Sequence, residues 1–295
     1  MLKECVDKRI RIYRKQDKDE ILGFTKDMYA PGFVSFLLNF HEKHRKRTVP
    51  FIFEEKGEMR AICFFHRSNE EDGWLMGMRV KRKFQRSGIA TVFTRELESY
   101  ARKQGLSWLG LNTSFKNRSV HGICKRLGFE RNEAYYTYVF DPKILKRLKQ
   151  TNRITLERVE DIDTAERYLK RRRIKRYLFV VDPGYIWIRL RQNTIKELIN
   201  LQGLHFYNGK LLALQRWGEF LTFNFFGGHG FVEHVDLLSQ LYREYPDPSK
   251  GRIAYCVRKR EAKGIDQLYG EIATAKAVKK EYVEKSDWYL YSKFL

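Results

Sequence analysis

Between Val80 and Phe93 the chain reads VKRKFQRSGIATVF. Apolar residues recur at helical spacing from Ile89 onward, so a helix opens just after Gly88. The first turn of a helix presents N–H groups with no intrahelical acceptor, at the positive end of its dipole. Gly88 lets a ligand come close to the backbone, and Ala90 is small enough not to block it. Lys81, Arg82, Lys83 and Arg86 add positive charge. These residue types in this order make a cradle for a pyrophosphate. Neither the GxxxxGK[ST] loop nor the GxGxxG dinucleotide fingerprint is present there.

The elements that must position this loop are legible around it as a mixed α/β pattern. A strand is expected at 10–14, then helices at 17–29, with Asp17 as N-cap, and at 36–46. Strands at 50–55 and 59–66 flank Lys56-Gly57, a hairpin turn signal, and a further strand covers 74–80. The helix from Ile89 runs to Lys103 and stops at Gly105. A strand at 108–112, a helix at 117–127 closed by Gly128, and a strand at 134–140 follow.

Gln85-Arg86-x-Gly88-x-Ala90, after a strand ending at Val80, resembles the acetyl-CoA loop [QR]xxGx[GA] of the GCN5-related N-acetyltransferases (GNATs). A second segment, Asn117-RSV-HGI-Cys124-KRL-Gly128-Phe129, resembles that family's NxxAxxLYxxxGF with equal spacing throughout. The resemblance covers roughly residues 9–140. It implies a mixed, mostly antiparallel sheet flanked by helices, with acetyl-CoA or another acyl-CoA as cofactor. It implies that Met78, Arg79 and Val80 offer backbone groups to the pantetheine arm. It implies that the amides of Gln85, Arg86, Ser87, Gly88, Ile89 and Ala90 hold the pyrophosphate, and that Asn117 lies near the pantetheine. The reaction implied is N-acetyl transfer. A neutral primary amine attacks the thioester directly, and a backbone N–H of the 78–80 strand stabilises the developing oxyanion.

The chain departs from the family where a general-acid tyrosine often stands, because Cys124 occupies that position. A free thiol titrates near ~8.5, close to the coenzyme A thiol. Cys124 either protonates the leaving thiolate or simply packs on a helix face. Tyr135, Tyr136 and Tyr138 are alternative hydroxyl donors, with Tyr136 carried forward as the candidate. For the general base, His66, Glu70, Glu71, Asp72 and His121 are the side chains near the relevant strands and helix. His66 is carried forward because it ends a strand, and a water chain is an equal alternative.

The whole chain has 295 residues, a length that suggests two domains. Its 58 Lys and Arg against 36 Asp and Glu give a net charge of +22. Such a field attracts polyanions, so a nucleic-acid-associated protein, with the GNAT half as a CoA sensor or a modifier of RNA or protein, is the alternative reading. Four scattered cysteines without metal-ligand spacing argue against a disulfide framework or a zinc site. Apolar runs are too short to span a membrane and the N-terminus has no apolar core, so a cytoplasmic protein is expected. Residues 9–19, RIRIYRKQDKD, and 153–163, RITLERVEDID, match at six positions in register, five identical and one aliphatic, and each stretch is followed at a similar distance by a loop that opens a helix, at Ile89 and at Phe231. The expected organisation is therefore a catalytic GNAT domain at 1–141, a linker at 142–152, and a degenerate GNAT-like repeat at 153–295. The second copy lacks the acyl-CoA loop, since Gly227 to Gly230 carries no Gln or Arg at the matching place. The acceptor is a small molecule, peptide or protein amine.

Overall fold

The computed structural model describes residues 9–141, 152, 154–171, 178–180, 186–217, 220–226, 231–244, 252–274 and 283–295. The chain divides into two compact units: Met1–Asn132 with Leu290–Leu295, and Glu133–Tyr289. The division falls inside a strand, and the last six residues return to the first unit. The expected linker and the 227–230 loop lie almost wholly outside the described residues.

In the first unit the strands are β1 (Ile10–Ile12), β2 (Thr48–Glu55), β3 (Glu58–Arg67), β4 (Asp72–Val80) and β5 (Trp108–Thr113), in that sheet order. Pairing is antiparallel up to β4, and β4 and β5 run parallel. The helices are α1 (Lys18–Thr25), α2 (Pro31–Lys43), α3 (Ile89–Lys103) and α4 (Arg118–Arg126). Most of β2 and β3 is buried, in keeping with their unbroken apolar runs PFIF and AICFF. From α3, Phe93 meets Phe53 at 5.8 Å between ring centroids, and Tyr100 meets Phe51 at 4.8 Å and Phe65 at 5.2 Å. These contacts follow from the helical spacing of its apolar residues. The hairpin between β2 and β3 turns at Lys56-Gly57, both with positive φ.

Two helices differ from expectation at their starts. A 3-10 turn at Lys15–Asp17 precedes α1, and Asp17 is tied backward rather than capping forward. Its carboxylate accepts the Arg14 N–H at 2.6 Å and the Arg11 guanidinium at 2.7 Å. Burial raises its pKa, but those bonds outweigh it and hold the carboxyl below the usual range. Helix α2 begins earlier than expected, at Pro31, where a fixed φ and a missing N–H suit the first helical position.

The second unit holds β6 (Glu130–Phe140) from Glu133 onward, β7 (Glu157–Arg158), α5 (Ile162–Arg171), the ribbon β8 (Leu178–Val180) with β9 (Trp187–Arg189), and α6 (Gln192–Asn200). It continues with β10 (Leu204–Tyr207), β11 (Lys210–Trp217), β12 (Phe220–Phe226), α7 (Phe231–Glu244), β13 (Arg252–Arg258), α8 (Lys263–Thr274) and most of β14 (Val283–Phe294). Its sheet order is β6-β13-β12-β11-β10-β7, with β12 and β13 parallel. Tyr138, Leu212, Leu238, Tyr255 and Ile265 lie in its larger core.

Candidate active site

The site begins where two parallel strands part. Pairing of β4 with β5 runs from Asp72–Trp108 to Leu75–Leu111, while β4 continues to Val80. A crevice beyond the carboxyl ends of parallel strands is the usual ligand position in α/β sheets. On its other edge β4 carries a bulge, since Ile62 pairs with Arg79 and Phe64 with Met76. Gly77 and Met78 thus oppose Cys63 alone, and the extra residue falls outside the ladder. Gly77 adopts φ +59°, and a Cβ there would sit 2.4 Å from the Leu37 side chain, so only glycine fits unstrained. The Cys63 thiol, itself buried, donates to the Met76 carbonyl at 3.5 Å beside the bulge.

From Met78 to Val80 the strand is half-exposed. The Met78 carbonyl accepts from the Arg79 guanidinium at 3.0 Å, and the Val80 carbonyl from the Gln85 side-chain amide at 3.1 Å. Gln85 thereby ties the loop to the strand that precedes it. Its own N–H is spent on the Arg82 carbonyl at 3.2 Å, so it is not a pyrophosphate donor as expected. Ser87 donates its hydroxyl to the Phe84 carbonyl at 2.6 Å. Arg86 and Gly88 both take positive φ, 65° and 84°, and Gly88 is the N-cap of α3. No side chain caps α3 and its first turn holds no acid. The N–H groups entering α3, including those of Ile89 and Ala90, therefore lack a side-chain cap, and nothing lies within 4 Å of a Cβ built at Gly88, an arrangement suited to an anion.

Not all the expected cations serve that helix start. Lys81 pairs with Glu20 at 2.6 Å, Lys83 pairs with Glu58, and Arg82 donates to the Asp27 carbonyl at 2.7 Å. Arg79 also donates to the Tyr29 carbonyl at 3.1 Å. These contacts hold the loop after α1 at the end of β4 and leave Tyr29 81% exposed. Arg86 is the exposed loop cation that remains. Arg126, which the loop motif does not include, joins it: its guanidinium donates to Thr91 in the first turn of α3 at 3.3 Å.

Asn117 caps α4 by accepting the Val120 N–H at 3.3 Å, and the residue is otherwise exposed, which leaves its amide NH₂ available. Cys124 is fully buried on α4, and desolvation pushes its thiol up to about 12. That is a packing residue and a poor acid for a thiolate. His66 faces Trp74 on β4, on the closed side of the fork, and hydrogen-bonds Thr48 at 2.8 Å. Burial, with Arg47 and His44 nearby, pulls its pKa down to about 3, so it is a weak base in the wrong place. Glu70, Glu71 and Asp72 belong to the turn that starts β4, organised by the Asn69 side chain, again away from the fork. Tyr135, Tyr136 and Tyr138 belong to the second unit. There Tyr135 packs on Trp187, Tyr136 lies under the Lys285 ammonium at 3.9 Å, and Tyr138 donates to Asp266 at 2.6 Å.

His121 is the one candidate base near the fork. Its Nε2 lies 3.0 Å from the Phe115 carbonyl and its Nδ1 3.0 Å from the Tyr291 hydroxyl. Among the described residues no cluster of His, Cys, Asp or Glu is arranged to hold a metal, and no helix is long and apolar enough to cross a membrane.

A fork of parallel strands, a bulge on one of them, and an uncapped helix after a Gly-containing loop are joined by one further observation: residues 11–129 match the model of the Acetyltransferase (GNAT) family. Residues 11–129 are a GNAT acetyltransferase domain. Acetyl-CoA is the cofactor of this family, and the open first turn of α3 with the parted strands fits a pyrophosphate followed by an extended arm. The GNAT domain is thus an acyl-CoA-dependent N-acetyltransferase domain. A candidate acetyltransferase of Thermoplasma acidophilum is 16% identical, covers 97% of this chain and 99% of its own at a TM-score of 0.53, and so shares the fold. Similar structures also include a GCN5-related N-acetyltransferase of Kribbella flavida, at 12% identity over 95% of this chain and 70% of that one with a TM-score of 0.43. A Bacillus subtilis acetyltransferase in complex with CoA is 13% identical over 43% of this chain and 78% of that one, with a TM-score of 0.36. No curated protein matches the sequence.

Proposed function

We propose that the chain transfers an acetyl group from acetyl-CoA to a primary amine by direct attack on the thioester. The observation that carries this reading is the parting of β4 from β5 after Leu75–Leu111, directly before an uncapped α3. Bound acetyl-CoA supplies an activated acetyl carbonyl and a thiol leaving group. The N–H groups of Arg86 to Ala90 hold the pyrophosphate, Arg86 and Arg126 neutralise it, and Asn117 donates its amide to the arm. The bulge at Gly77–Met78 frees a β4 amide from the ladder and aims it at the acetyl oxygen. The exposed Tyr29 loop, fixed by Arg79 and Arg82, borders the acceptor.

We further infer that the second unit is a diverged copy that takes no acyl-CoA. The order of its elements from β7 to β14 parallels β1 to β6, with the β8–β9 ribbon added. Its parallel strands pair from Phe220–Arg252 to Asn224–Cys256, nearly to the end of β12. The buried Asn224 side chain donates across them to the Cys256 carbonyl at 3.2 Å. No fork opens among these described residues.

Isothermal titration with acetyl-CoA, beside desulfo-CoA and an RNA pool, tests the reading. One-to-one acetyl-CoA binding that is lost in Gly88→Trp is expected. No CoA binding together with salt-steep RNA binding would instead make the +22 charge the functional feature.

A further inference from the structure

We propose that Tyr291 and His121 form the proton relay of acetyl transfer, in place of the hydroxyl that Cys124 leaves missing on α4. This rests on the acetyltransferase reading above.

The two residues lie 170 positions apart in sequence, and both belong to the first unit. The Phe115 carbonyl can only accept, so the His121 nitrogen facing it, Nε2, carries the hydrogen. In the neutral ring Nδ1 is then a lone pair, and the Tyr291 hydroxyl donates to it at 3.0 Å. His121 is half-buried in the first turn of α4, four residues after Asn117, and Tyr291 is buried.

The hydrogen bonds of the last residues place Tyr291 beside β5, on the edge away from β4. Tyr291 meets the start of α4, while the Lys293 ammonium donates to the Leu127 carbonyl at its end, at 2.9 Å, and to Glu98 at 2.8 Å. Leu295 N–H donates to the carbonyl of Ser107, immediately before β5, at 2.9 Å. The segment therefore runs antiparallel to β5. Four residues back from the Ser107 level, at ~3.3 Å each, is roughly 13 Å, which brings Tyr291 level with Leu111. Leu111 is the last β5 residue paired with β4. The pair thus stands one strand over from the fork, on the other edge of β5 and level with the point where β4 and β5 part.

The chemistry balances on this pair alone. A C–N bond forms, a C–S bond breaks, and one proton must pass from nitrogen to sulfur. Tyr291 Oη takes the amine proton as its own proton passes to His121 Nδ1. The return transfer delivers a proton from Tyr291 to the leaving sulfur and restores both side chains. The second unit provides a contrast. Tyr138 donates to Asp266, the fourth residue of α8 as His121 is the fourth of α4, but Asp266 is also ion-paired to Lys285. A carboxylate pinned in this way has no imidazole to take up and return a proton.

Tyr291→Phe, His121→Gln and the double variant of the full chain test the relay. Acetyl-CoA affinity is read by calorimetry, the thermal midpoint by scanning, and kcat by thiol release with spermidine, lysine, an alanine-ended peptide or water as acceptor. Each single variant is expected to keep its acetyl-CoA Kd within about twofold and to lose about 10²-fold in kcat, the usual scale of general acid–base catalysis. The double variant is expected to lose no more than either single, because the two act as one unit. Wild-type kcat in Tyr291→Phe, multiplicative losses in the double variant, or a kcat loss matched by weaker CoA binding or a collapsed thermal midpoint would overturn the relay and leave a structural bond. Absence of acetyl-CoA binding by the wild type would overturn the acetyltransferase reading, and the relay with it.

Discussion

Replacing Gly77 with alanine separates two costs that the β4 bulge imposes. The backbone there has φ +59°, where an L-residue is strained by about 1–2 kcal/mol. The new Cβ would also lie 2.4 Å from Leu37 Cδ1, well inside contact, and Leu37 is fully buried on α2. Relieving that overlap in a packed core typically costs about 1–3 kcal/mol more. The total expected for Gly77→Ala is therefore about 2–5 kcal/mol. Gly105→Ala is the internal control, because Gly105 has φ +73° but a Cβ there would meet nothing within 4 Å. It should lose only the backbone part, about 1–2 kcal/mol. Urea unfolding followed by tryptophan fluorescence measures both, and acetyl-CoA titration should show weaker binding only for Gly77→Ala, since the bulge sets the strand that borders the site. Equal losses for the two variants would refute the reasoning, because they would mean that Leu37 does not pack against the bulge.

Three further outcomes follow from the same site. Cys63, Cys124 and Cys256 are buried and desolvation pushes each thiol up to about 12, so peptide mapping after iodoacetamide at pH 8 should find all three unmodified in the folded protein, and rapid labelling of Cys124 would restore it as a candidate acid. His66, held neutral to about pH 3, binds its proton only when the chain unfolds, so stability should fall as pH drops below the unfolded value near ~6.5, by at most about 1.4 kcal/mol per unit. His66→Asn should flatten that slope while leaving the pH dependence of acetyl transfer unaltered, and a shifted activity profile would contradict its placement on the closed side. Arg86→Ala and Arg126→Ala should each weaken acetyl-CoA about tenfold and dephospho-pantetheine thioesters hardly at all, and an equal effect on both ligands would move these cations away from the pyrophosphate.

Much of this site is written in short stretches of sequence. The loop that opens α3 needs only Gly88 with its positive φ, Gln85 within reach of Val80, and apolar residues at helical spacing, all within fourteen consecutive positions. The Lys56-Gly57 hairpin and the Asn117 cap are equally local, because turn and cap preferences act over two to four residues. Each is legible in the order of the residues alone. Burial and long-range pairing are not. Three of the four loop cations find partners on other elements, at Glu20, Asp27 and Glu58, which no spacing within the loop announces. His66 looks like an available base in sequence, and only the packing of β3 among α2 and β4 removes it from water. The Gly77 bulge is set by the mismatch between two strands, and Arg126 meets α3 only because α4 folds back across it. The last six residues read simply as part of the second half, yet they join the first unit and bring Tyr291 to His121. Local conformational preference decides where each element starts and stops, whereas the burial of apolar surface by the whole chain decides which distant elements meet, and so which side chains share the site.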